Sequence, residues 1–118
     1  MGFAMHDIGG IADAAAAFRQ AIKFNPKYVQ AYNNLGVVLR KLGDFEGACQ
    51  AYREAINIDP TNAAAHRNLG LCLDEKGDLE GASKALRNSI GVKPDDAMAY
   101  NNLGLVLTSK GDHQGIEL

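Results

Sequence analysis

Apolar residues recur along this chain at helical spacing, and they do so in pairs of runs. Ala31, Leu35, Val38, Leu39 and Leu42 share one face, and Ala48, Ala51, Tyr52, Ala55 and Ile56 share another. Between the two runs stands Gly43-Asp44. The glycine can take the left-handed conformation that ends a helix, and the aspartate can then accept backbone N–H bonds as the cap of the next. The stretch therefore predicts a helical hairpin.

The hairpin is copied. "YNNLGVVLRKLGDFEGA" at 32–48 returns as "HRNLGLCLDEKGDLEGA" at 66–82, a shift of 34 residues. Pro26, Pro60 and Pro94 keep the same period, as do Leu35, Leu69 and Leu103, Gly36, Gly70 and Gly104, and Leu39, Leu73 and Leu107. Gly43-Asp44, Gly77-Asp78 and Gly111-Asp112 predict the same helix-to-helix turn three times. "NPK", "DPT" and "KPD" predict the tight turns that join one hairpin to the next, because proline lacks a donor and restricts the residue before it. The glycines of the Leu-Gly pairs, with Gly2 as a further one, are expected to let neighbouring helices approach closely.

These residues resemble the tetratricopeptide repeat, a family with a period of 34. With Val29 as the first position of a unit, the family's large residue at the fourth place is Tyr32, His66 or Tyr100. Its Leu-Gly pair is Leu35-Gly36, Leu69-Gly70 or Leu103-Gly104, and its alanine and aromatic four residues on are Ala14 and Phe18, then Ala48 and Tyr52. Ala82 keeps the alanine while Leu86 departs from the aromatic. The resemblance implies an all-α fold: a right-handed superhelical solenoid of antiparallel helix-turn-helix repeats. It divides the chain into an incomplete repeat at 1–28, repeats at 29–62 and 63–96, and an incomplete repeat at 97–118. Met1-Gly2 falls where Leu-Gly is expected, so the chain starts inside a repeat. After Lys110 only "GDHQGIEL" stands in place of a second helix, with Ile116 where alanine is expected and Gly115 a poor helix former. Ala99, Leu103, Val106 and Leu107 are then expected to lie partly open as an association surface. A piece of a longer array, a subunit covered by something else, and self-stacking into an oligomer all fit that expectation.

In this family the first helix of each unit lines a concave groove that receives an extended peptide or a helix. By register the groove residues are Asn33, Asn34, Val37, Arg40 and Lys41 in one unit. The next unit supplies Arg67, Asn68, Leu71 and Asp74, and the last supplies Met98, Asn101, Asn102 and Leu105. Asn34, Asn68 and Asn102 recur at the repeat period, and an amide can pair with both the C=O and the N–H of one peptide unit. The row resembles the asparagine ladder in the repeat domain of O-linked N-acetylglucosamine transferase. That domain commonly continues "NLGN", whereas Val37, Leu71 and Leu105 place an apolar strip beside the row here. Two roles fit the asparagines: capture of a peptide backbone, or surface amides bonded to water and neighbouring helices. Arg40 and Lys41 either pair with Asp74 and Glu75 across the seam between repeats, worth about 0–1 kcal/mol when exposed, or set up a gradient that orients a ligand.

A second version of the family grips the carboxylate tail of chaperones. Where that clamp needs lysine and asparagine in its first unit, this chain has Asn33 and Val37. Where the third unit needs lysine and arginine, it has Met98 and Asn102, and only Asn68 fits. Carboxylates buried without cationic partners are costly, so chaperone-tail binding is disfavoured.

Composition removes other classes. The formal net charge is −2 across 118 residues, which gives no electrostatic footprint for nucleic acid or an anionic membrane. No apolar run approaches the roughly 20 residues needed to cross a bilayer, and no secretory signal opens the chain. "MGFAMH" fails as a myristoylation signal because His6 stands where Ser or Thr is required. An intracellular, cytoplasmic protein is the default. Cys49 and Cys72 lack metal-ligand spacing and are expected as small buried residues, so no metal and no cofactor is implied. His66 occupies an aromatic core position, where packing with one ring nitrogen bonded is expected, while His6 and His113 lie near the ends. No nucleophile stands beside a histidine and no phosphate-cradling loop occurs. A non-enzymatic protein-protein interaction scaffold is expected. The alternative is a structural subunit, self-associating or packed through its incomplete ends, with no free groove ligand.

Overall fold

The computed structural model describes residues 3–113, with side chains described over 9–111. Six helices follow in order: α1 (Phe3–Phe24), α2 (Val29–Lys41), α3 (Phe45–Ile58), α4 (Ala63–Lys76), α5 (Leu79–Val92) and α6 (Ala97–His113). The described residues contain no strand. The chain divides into two compact units, Met1–Asp59 and Pro60–Leu118.

In the first unit α1 packs on α2, and α2 pairs with α3. Ala31, Leu35 and Leu39 of α2 meet Ala48, Ala51, Tyr52 and Ala55 of α3 as a buried core, with Cys49 beside them. Val38 and Ile56 of the two apolar faces are half-buried, and Leu42, one residue past the end of α2, is exposed. Small side chains let the helices close up. A Cβ built on Gly36 would stand 2.7 Å from Cδ1 and Cζ of Tyr52, so the tyrosine ring occupies the space that any larger residue would claim.

The turn between α2 and α3 follows the sequence. Gly43 adopts φ 86°. Its N–H donates to Arg40 O at 3.0 Å, and the Asp44 N–H donates to Leu39 O at 2.9 Å, which satisfies the last carbonyls of α2. Asp44 Oδ1 then accepts from the Gly47 N–H at 2.9 Å and caps α3. That carboxylate folds over position 47, where an added Cβ would lie 2.5 Å from Asp44 Oδ2. Gly47 is thus part of the cap.

In the second unit α4 pairs with α5, and α5 packs on α6. The core comprises Ala65, His66, Leu69, Cys72 and Leu73 of α4, Ala82, Ala85 and Leu86 of α5, and Ala99 and Val106 of α6. The turn bonds recur 34 residues on: Gly77 at φ 93°, its N–H to Asp74 O at 3.0 Å, the Asp78 N–H to Leu73 O at 2.9 Å, and the Gly81 N–H to Asp78 Oδ1 at 2.9 Å. His66 packs as its position predicts, with Nε2 2.9 Å from Pro60 O. The buried Ser89 hydroxyl donates to Ala63 O at 3.0 Å, fixing the end of α5 against the start of α4. The antiparallel order of the hairpin is locked there.

Two expectations fail at the ends. The third turn does not form, because α6 continues through Gly111 to His113, and Gly111 has no positive φ. The likeness of Gly104 to Gly36 and Gly70 also stops at the letter, since an added Cβ on Gly104 would meet no atom within 4 Å. No described helix lies against that face of α6, so no described residue presses on Gly104. Met1, Gly2, Gly115 and Ile116, which entered the reading of the incomplete repeats, lie outside the described residues.

Candidate functional site

The groove residues expected from the sequence all lie on α2, α4 and α6. On α2, Asn33 is buried at 6% exposure, Asn34, Val37 and Arg40 are half-buried, and Lys41 is exposed. Asn34 Oδ1 accepts from Gln30 Nε2 at 3.3 Å, one helical turn earlier. On α4, Arg67, Asn68, Leu71 and Asp74 are half-buried. On α6, Asn102 is half-buried while Met98, Asn101 and Leu105 are exposed, Met98 at 61% and Leu105 at 60%. Within the second unit, Asn68 and Asn102 make no side-chain hydrogen bond among the described residues and stand next to Leu71 and Leu105 in register.

Arg67 is not a free cation. Its Nη1 donates to Asp96 Oδ2 at 2.7 Å, with the Asp96 side chain 8% exposed. Asp96 Oδ1 in turn accepts from the N–H groups of Met98 at 3.1 Å and Ala99 at 3.4 Å, capping α6. Burial pushes the Asp96 carboxyl up. The Arg67 hydrogen bond, the Ala99 N–H, the Arg67 charge and the Met98 N–H outweigh that effect and hold the carboxyl below its ordinary value. The ion pair thus joins the middle of α4 to the start of α6. Reading the sequence missed Asp96. The signal is its register: Tyr28, Asn62 and Asp96 precede successive first helices at the repeat period, and Asn62 caps α4 by accepting from the Ala65 N–H at 2.9 Å. Tyr28 offers no side-chain cap.

The expected association surface needs correcting. Ala99 and Val106 are 0% and 2% exposed, because they form the stripe that α6 lays on α5, seven residues apart on one face. Leu103 is half-buried and Leu107 is 39% exposed. Tyr100, the residue at the family's large fourth place, is 52% exposed. The open apolar face of α6 is therefore Tyr100, Leu103 and Leu107 around Gly104.

The family profile described as "TPR repeat" matches residues 2–43, 36–73 and 75–111. The chain belongs to the tetratricopeptide repeat family. Curated protein sequences give no match. Among solved structures, a crystal structure of MamA is similar at 29% identity and a TM-score of 0.83 over 90% of this chain, which spans 62% of that one. The O-GlcNAc transferase of Thermobaculum terrenum, in a K341M mutant, is similar at 26% identity and a TM-score of 0.78 over 85% of this chain, which spans 19% of that enzyme. The first tetratricopeptide domain of Spaghetti (RPAP3), solved with the HSP90 peptide SRMEEVD, shares the fold at a TM-score of 0.84 and 17% identity, over 87% of this chain and 82% of that one. None of the described helices is long and apolar enough to cross a membrane.

Proposed function

We propose that this chain binds an extended peptide along the exposed sides of α4 and α6 in its second unit. Asn68 and Asn102 pair with peptide backbone, and Leu71 and Leu105 select apolar side chains. The observation that carries the proposal is that Asn68 and Asn102 are half-buried and that their side chains make no hydrogen bond among the described residues. An amide held on a helix face and left with both donor and acceptor capacity suits a ligand that presents N–H and C=O together. Met98 and Leu105, both largely exposed on α6, supply the apolar contact area.

The neighbour solved with an HSP90 peptide supports peptide binding as a use of this fold. It does not carry over a carboxylate clamp. The cation nearest that role, Arg67, is neutralised by Asp96, so the groove of the second unit favours an uncharged, backbone-read ligand. The similar O-GlcNAc transferase is an enzyme, but the repeats are the part that this chain matches, and the role argued for them is recognition.

Selection from a random peptide display library, followed by titration of the selected peptides, tests the proposal. Each lost amide pair is worth about 1 kcal/mol, so Asn68→Ala with Asn102→Ala weakens binding roughly 10- to 30-fold while the helical signal and melting midpoint stay put. Selected peptides whose affinity ignores both substitutions, or a library that yields no binder, would refute it.

A further inference from the structure

The Asp96 carboxylate does two things, and only one of them needs a charge. Its Oδ1 accepts from the N–H groups of Met98 and Ala99 at 3.1 and 3.4 Å, capping α6, while its Oδ2 accepts from Arg67 Nη1 at 2.7 Å. A neutral side chain can make the cap. Asn62, at the same repeat position 34 residues earlier, caps α4 by accepting from the Ala65 N–H at 2.9 Å. What the aspartate adds at 96 is a counter-charge for Arg67. That cation stands one residue before Asn68 and one turn before Leu71 on α4, with 23% of its side chain exposed. The next charge on the same stripe, Asp74, is acidic, and α6 carries no charged residue from Ala97 to Ser109. Arg67 is therefore the only cation at the expected groove positions of the second unit, and Asp96 cancels it.

We infer that Asp96 is the positioning residue that sets the charge class of the ligand: by holding the Arg67 guanidinium it keeps acidic side chains out of the groove, and without it the same groove takes a carboxylate-bearing peptide. The inference rests on the peptide reading above and adds the residue that decides which peptides are admitted. A ligand carboxylate that approaches the wild-type groove meets a guanidinium already bonded to a carboxylate whose side chain is 8% exposed. To take the guanidinium it must displace Asp96 and leave that carboxylate buried and unpaired, which is costly. The Asp96 carboxyl is held below its ordinary value, so the counter-charge is in place at neutral pH. With asparagine at 96 the guanidinium still stands beside Asn68 but has lost its anion. A half-buried cation in that state favours an anionic ligand, and its planar fork suits a carboxylate.

The test is selection from one random peptide display library on wild type and on Asp96→Asn in parallel, followed by titration. Peptides selected on wild type are depleted in Asp and Glu, whereas those selected on Asp96→Asn carry an acidic residue at a fixed position. The tightest wild-type peptide is then compared with a copy that has Glu at that position. Wild type binds the Glu copy about five- to tenfold more weakly than the parent peptide, and Asp96→Asn binds it about five- to tenfold more tightly. Adding Arg67→Gln to Asp96→Asn removes the gain, and high salt shrinks it. A loss of helix capping alone weakens both peptides together and reverses nothing. Asp96→Ser, a second uncharged cap, gives the same reversal. Equal acidic content in the peptides selected on wild type and on both variants overturns the inference, and the peptide reading stands as long as Asn68→Ala with Asn102→Ala weakens those peptides. Acid-rich peptides selected on wild type overturn it as well, and so does a gain that survives Arg67→Gln. A wild type that binds no peptide overturns the peptide reading and this inference together.

Discussion

Three glycines occupy the same repeat position, and replacing each by alanine separates helix propensity from packing. At Gly104 an added Cβ meets no atom within 4 Å, so Gly104→Ala gains only the propensity difference of about 1 kcal/mol. At Gly70 the new Cβ stands 2.7 Å from Leu86 Cγ and 3.2 Å from Ala82 O. Leu86 is wholly buried and the second contact is backbone, so neither neighbour can retreat without cost. Overpacking of this kind costs about 1–3 kcal/mol, and with two immobile neighbours the upper half of that range applies. After the propensity gain, Gly70→Ala is left about 1–2 kcal/mol less stable than wild type. Gly36→Ala loses at least as much, because the rigid ring of the buried Tyr52 fills the space. The assay is thermal unfolding followed by circular dichroism at a concentration low enough to keep the chain monomeric. Gly104→Ala melts higher than wild type and Gly70→Ala lower, separated by roughly 10 °C. Equal shifts of the same sign in the two variants would refute the packing account.

Further outcomes follow from the caps and the ion pair. Asp44→Ala and Asp78→Ala each remove a helix cap and lower stability by about 1 kcal/mol in urea unfolding, whereas the same substitution at Asp112, where no turn forms, leaves the midpoint unchanged. Asp96 has a depressed folded pKa, so its contribution is complete above the ordinary 3.8 and is lost as pH falls through the folded value. Asp96→Asn therefore loses stability near neutral pH, and it flattens the acid limb of the stability profile below about pH 4, as read from unfolding midpoints across a pH series.

The hairpins were legible because their signals are local and dense. Apolar faces at helical spacing, Gly43-Asp44 and Gly77-Asp78 at the turns, and prolines between hairpins name the elements without reference to anything distant. Of the candidate site, the sequence places Asn34, Asn68 and Asn102 on first helices by counting alone. It does not reveal that Asn33 is buried, that Asn34 bonds Gln30, or that Arg67 is held by Asp96. Those outcomes depend on contacts with residues up to 29 positions away.

The ends of the chain draw the line most clearly. Gly111-Asp112 repeats the letters of two turns that form, and Gly104 repeats two glycines that are pressed by a neighbour. In the structure the first is passed through by α6 and the second is open to solvent. By itself the sequence determined the period, the helices and where a turn is permitted, because φ preferences and capping bonds are decided within a few residues. Tertiary structure alone decided which permitted turns are made and which apolar faces are covered. Both outcomes depend on contacts with residues distant in the sequence, which no local pattern contains.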